Sequence, residues 1–111
     1  MSAISDFMAA NLLRVFNEQN RRRRAAAIRA IYAKDCFFAD GRDSVLGWDG
    51  VDETVERLQS AHPGFVFQPT GLAVAHHGLA CQRWRFGPRG ARDIMTGVDV
   101  AFFEKGSIKK P

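Results

Sequence analysis

GFVFQPTGLAVAHHGLACQRWRFGPRGARDIMTGVDVAFFEKGSI, from Gly64 to Ile108, is the stretch that decides the fold. Valine, phenylalanine and tryptophan recur in it without helical spacing. Short Gly-containing links fall at His76-His77-Gly78, Pro88-Arg89-Gly90 and Lys105-Gly106. Such a texture predicts antiparallel strands joined by hairpins. Strands are expected at Phe65–Ala75, Leu79–Gly87, Arg92–Glu104 and Ser107–Lys109. Pro69-Thr70-Gly71 and Thr96-Gly97 lie within these strands and are read as bulges that bend a sheet.

Upstream of this stretch the periodicity is helical. Ile4, Phe7, Met8, Leu12, Val15 and Phe16 form one apolar face over Ala3–Glu18, and Asn17–Asn20 forms a turn. A second helix is expected over Arg21–Ala33, with Ala25, Ile28, Ile31 and Tyr32 as its stripe. A third is expected over Val51–Ala61, capped by Asp49 or Asp52 and stopped by Pro63-Gly64. A short strand is expected at Cys36–Ala39, and Val45-Leu46 is either a second short strand or a loop. Helices first and antiparallel strands afterwards mean α+β. The expected architecture is one domain, 1–111, with a strongly curved antiparallel sheet wrapped around helices as an open cone. A concave cavity of that kind suits a small ligand.

Composition narrows the function classes. The chain has 111 residues, 46% of them hydrophobic, and a formal charge of +4. That is enough for a single core, and the apolar share is that of a globular rather than a disordered chain. No apolar run approaches the ~18 residues of a membrane span, and the N-terminus lacks signal-peptide order. Cys36 and Cys81 have neither disulfide-scaffold nor metal spacing. A reducing cytoplasm is therefore expected. Four positive charges are one run, Arg21–Arg24; without it the charges balance, 12 against 12. Nucleic acid is accordingly not the expected partner. The run is read as solvated arginines at a helix start; the other reading has Arg22 or Arg24 pairing with Asp35 or Glu18.

RVFNEQNRRRRAAAIRAIYAKDCFFAD (14–40), GWDGVDETVERL (47–58), HPGFVF (62–67) and GVDVAFFEKGSI (97–108), in this order and spacing, resemble the nuclear transport factor 2-like superfamily. Its SnoaL-like and ketosteroid-isomerase-like members are the nearest in pattern. The resemblance covers Leu12 to Ile108. It implies helices closing a conical pocket and a homodimer formed through the sheet. The sequence ends on Ile108-Lys109-Lys110-Pro111, so the last strand is expected to be shorter than the family's.

Two carboxylates stand out. Asp99 sits in VDVAFF, where alternation puts it with Ala101 and Phe103 on one face. A buried carboxyl tends to keep its proton. The resemblance gives Asp99 the role of acid or oxyanion donor; the other reading is an Asp bonded to an Arg or to backbone. Asp40 follows the short strand, and the resemblance gives it the role of general base; the other reading is an Asx turn before Gly41. Leu12 stands where the isomerases carry an oxyanion tyrosine, and Tyr32 is the sole tyrosine. Trp84 and Gln82 share a strand face, so Trp84 is either a pocket wall or core and Gln82 a polar handle. Arg83 and Arg85 then face outward. Phe103 and Trp48 complete the candidate substrate contacts. His62 reads as a helix C-cap and His76-His77 as a solvated turn. No metal or cofactor is implied. The expected function is a pocket for a small apolar or amphipathic ligand, with acid/base chemistry of the isomerase or cyclase class on a carbonyl compound. The alternatives are a non-catalytic ligand-binding or dimerisation module and, more rarely, an epoxide hydrolase, which needs a carboxylate pair around an Arg.

Overall fold

The computed structural model describes residues 3–39, 44–90, 95–104 and 107–110. Helix α1 (Ala3–Ala10) passes directly into a π-helical segment, Asn11–Phe16. The amide of Asn17 reaches back five residues to the Leu12 carbonyl at 3.0 Å. An α-helix throughout was the expectation. The wider turn buries Asn11, Leu12, Val15 and Phe16 together, two adjacent pairs that an ordinary helix would splay further apart. Helix α2 (Arg21–Ile31) is capped by the Asn20 side chain, which accepts from the Arg23 amide. Strands β1 (Phe37–Ala39) and β2 (Ser44–Leu46) pair as a separate small hairpin.

Helix α3 (Gly47–Ala61) starts four residues earlier than expected, and no side chain caps it. Asp49 lies in its first turn, and Asp52 is engaged elsewhere. Strands β3 (Phe65–Pro69), β4 (Val74–His76), β5 (Leu79–Pro88), β6 (Met95–Glu104) and β7 (Ser107–Lys110) make one antiparallel sheet in the order β3-β5-β6-β7. β4 pairs with β5 as well. The expected Phe65–Ala75 strand is thus two strands on one edge of β5, interrupted around Gly71, whose φ is +78°. The β4–β5 turn carries positive φ at both His77 and Gly78, the geometry that tight hairpins favour. β7 has four residues.

Thr96-Gly97 is not a bulge, because the β5–β6 ladder runs unbroken from Phe86↔Met95 to Leu79↔Phe102. The irregularity falls instead between Phe102 and Phe103, against β7. Gly97 has a steric role. A Cβ there would lie 2.4 Å from the Trp84 ring.

The helices pack on one face of the sheet. Their apolar stripes bury Met8, Leu12, Val15, Ile28, Ile31, Val51 and Val55 against Phe67, Ala80, Phe86, Ala101 and Ile108. Arg24 corrects the solvated reading of the arginine run, since it is fully buried. Its Nε donates to Asp52 at 2.6 Å, and it also pairs with Glu56 and donates to the Glu18 carbonyl at 2.7 Å. Arg21 adds a bond to Asp52 at 2.9 Å. Asp35 pairs with Lys109 rather than with that run. No helix among the described residues is long and apolar enough to cross a membrane.

Candidate functional site

Alternation along β5 and β6 turns Trp84 and Asp99 to the helix-covered face. The Trp84 indole N–H donates to Asp99 Oδ1 at 3.0 Å. Asn11 reaches the same carboxylate from the π-helical segment. Its orientation is set from behind, because the Tyr32 hydroxyl donates to Asn11 Oδ1 at 2.8 Å. The amide –NH2 is thereby left for Asp99. Tyr32 and Asn11 are both buried.

Burial pushes the Asp99 carboxyl up to about 6, against the indole and amide N–H groups that pull it down. Tyr32 moves the same way. Burial first, and the Asp99 charge second, hold its hydroxyl well above 10, so it stays neutral.

Asp99 forms part of the walls of two cavities. The larger, about 430 Å³, is lined by Leu12, Phe16, Phe38 and Phe67, with Arg57 of α3 and His62 at its C-cap among the polar lining residues. The smaller, about 250 Å³, is lined by Met8, Asn11, Tyr32, Ala101 and Ile108. Phe38, Trp84 and Asp99 line both. His62 does cap α3, through its backbone N–H to Leu58. Its ring packs on Phe65 and Phe86 at 5.1 and 5.4 Å.

The other candidate residues divide. Asp40 lies outside the described residues. Trp84 is pocket wall and hydrogen-bond donor at once. Gln82 is not a pocket handle: it is buried, lines neither cavity, and spends its amide on the Gly71 and Arg83 carbonyls. It straps down the break between β3 and β4. Phe103 stacks on Phe7 at 6.2 Å and lines neither cavity. Trp48 likewise lines neither. Its indole N–H donates to the Tyr32 carbonyl at 2.9 Å, and Arg29 lies over its ring. Leu12 is a cavity wall and brings no donor. Asn11 and Tyr32 went unread in the sequence as site residues. The available signal was a polar residue at the i+3 position from Met8, on the buried face of the first helix.

A β-sheet curved over three helices, with its cavities between the two layers, is an arrangement with solved counterparts. A candidate isomerase of the SnoaL-like family from Agrobacterium tumefaciens superposes with a TM-score of 0.84 at 22% identity, over 96% of this chain and 89% of that one. The fold is SnoaL-like. A candidate polyketide cyclase from Sinorhizobium meliloti gives 0.75 at 12% identity, over 99% and 96%. An NTF2-like protein from an Exiguobacterium gives 0.65 at 17%, over 97% and 90%. No family model and no curated protein matches this sequence. At these identities the likeness speaks for the fold, as the α+β reading and the SnoaL-like and NTF2-like resemblance expected.

Proposed function

We propose that this SnoaL-like chain binds a small apolar carbonyl compound and moves a proton on it, with Asp99 as the group that carries the proton. The observation that supports this most is the Asp99 environment. A carboxyl raised to about 6 by burial is a stronger base than a free Asp and is still ionised at neutral pH. Two N–H donors aimed at it favour the carboxylate form. That suits general-base work better than the oxyanion-donor role the resemblance suggested. The apolar wall of Leu12, Phe16, Phe38 and Phe67 would seat the hydrocarbon and exclude water, which strengthens the base further. The isomerase and cyclase descriptions of the structural neighbours fit proton transfer next to a carbonyl.

The test is hydrogen–deuterium exchange at carbons next to the carbonyl of a β,γ-unsaturated cyclic ketone, followed by proton NMR in D2O. Exchange should rise as pH climbs through about 6 and level off above it. Asp99→Asn should lower it by about 10²-fold or more. A ketone that binds without exchange above the solvent background would leave the binding-module reading instead. Leu12, which supplies no oxyanion donor, is the observation that favours that alternative.

A further inference from the structure

The smaller cavity lies on the Tyr32 and Asn11 side of Asp99. Three aromatic residues, Tyr32, Phe38 and Trp84, contribute to its walls. Asp99 is the carboxylate among its described lining residues. The donors that reach Asp99 from Trp84 and Asn11 are both neutral. No cationic side chain among the described residues acts on it. An ionised carboxylate offers about four acceptor sites, so roughly two remain after these donors. A charge in an apolar chamber without a counter-charge is costly, and aromatic faces attract cations. At about 250 Å³ the chamber lies below the ~300–1,000 Å³ of drug-sized sites, which suits a compact head group.

We infer that the smaller cavity is a binding site for an alkylammonium group, seated against the Asp99 carboxylate among Tyr32, Phe38 and Trp84. The site goes beyond the carbonyl chemistry proposed above and does not depend on it. The ammonium neutralises Asp99 without bonding covalently. Its binding therefore competes with protonation of that carboxyl, and in turn suppresses Asp99 as a base.

The groups that bear on Asp99 are few. Asn11 comes from the π-helical segment, Tyr32 from the end of α2 and Trp84 from β5. Arg57 of α3 and His62 at its C-cap line the larger cavity, which Asp99 also lines. Tyr32 stays neutral. His62 is the imidazole that lines the larger cavity together with Asp99, so its contribution needs separating from that of the carboxylate.

The experiment is an NMR titration of the full chain with choline, whose charge is independent of pH, and with 3,3-dimethylbutan-1-ol, its neutral counterpart in shape. At about pH 7.5, choline should bind at least about tenfold more tightly and shift the Trp84 indole and Asp99 carboxyl signals. At about pH 5 its affinity should be about tenfold lower, because Asp99 titrates near 6. Asp99→Asn should abolish the preference while leaving the alcohol's affinity unchanged. His62→Gln should keep the pH dependence. Equal affinities for choline and the alcohol in the wild-type protein overturn the site, as does choline binding that leaves the Asp99 signal unmoved. These wild-type comparisons decide the matter even if a variant fails to fold. Choline binding without ketone exchange would sustain this site and remove the catalytic reading, and exchange without choline binding would do the reverse.

Discussion

Asp99 takes its behaviour from a conflict between burial and donors. Burial outweighs the Trp84 and Asn11 N–H groups and lifts the carboxyl to about 6. The folded state therefore holds more protons than the unfolded state between about 3.8 and 6. From this group alone, stability is highest below about 3.8, falls as pH rises to about 6, and is flat beyond. Two pKa units set an upper limit of about 3 kcal/mol on that loss. In Asp99→Asn the new carbonyl can still accept from Trp84, and the loss with pH disappears. Urea unfolding of both proteins at about pH 4 and about pH 7.5 should show the variant gaining on the wild type by about 1–3 kcal/mol at the higher pH. A variant that loses ground instead would mark Asp99 as an ion-pair residue. Much of this was legible: an acid inside VDVAFF, with Trp84 on the matching face of the neighbouring strand. Asn11 was missed, because a helical stripe is read by its apolar members, although it stands three residues from Met8 on that stripe. Gln82 misled for a related reason. Alternation gives its face, yet the bonds that consume its amide come from the backbone at Gly71 and Arg83.

Helices α2 and α3 are joined by charge as well as by apolar packing. Arg21 and Arg24, three apart, meet Asp52 and Glu56, four apart, so one ridge of each helix carries the pairs. Burial alone would raise Asp52, but the bonds and charges of Arg21 and Arg24 outweigh it and hold the carboxyl below 3.8. This contribution is present above about 3.8 and fades as pH falls through the lower folded value, opposite in sign to that of Asp99. Removing Arg24 takes the buried cation from Asp52 and Glu56, which keep only the exposed Arg21, and leaves the Glu18 carbonyl to Gln59. Arg24→Ala should cost about 3 kcal/mol or more in urea unfolding near pH 7, and exposed Arg22→Ala less than about 0.5 kcal/mol. Similar losses for the two would mean that the buried cluster adds nothing. The sequence told that four arginines open α2, but a run of four covers every side of a helix. Only the position of α3 decides which of them is buried. The three helices and the hairpin meander, by contrast, followed from periodicity and turn residues alone.

The sheet has a second face, and no helix among the described residues covers it. Val98, Val100 and Phe102 of β6 are 53%, 37% and 41% exposed there, and Arg83 and Arg85 lie on the neighbouring strand. Apolar residues clustered in this way on a β-face are characteristic of association surfaces. The expected outcome is a homodimer through this face. The β5–β6 register suggests how two copies would sit. Arg85 is level with Thr96, four residues from Val100, and Glu104 is four residues from it on the other side. A two-fold axis between the faces, running across β6 at Val100, would set Glu104 of each copy over the Arg85 region of the other. Such an isologous contact is self-complementary in charge as well as in apolar surface. Light scattering at about micromolar concentration should give twice the chain mass, and Val98→Asp, at an exposed position outside the buried core that also borders the smaller cavity, should give the single mass with unchanged circular dichroism. Glu104→Arg should weaken the dimer by like-charge contact, and adding Arg85→Glu to it should restore association. A wild-type protein that stays monomeric would remove the interface altogether. A dimer that survives Val98→Asp would place it on another surface, and one weakened by Val98→Asp but indifferent to charge reversal would keep the face and reject this axis.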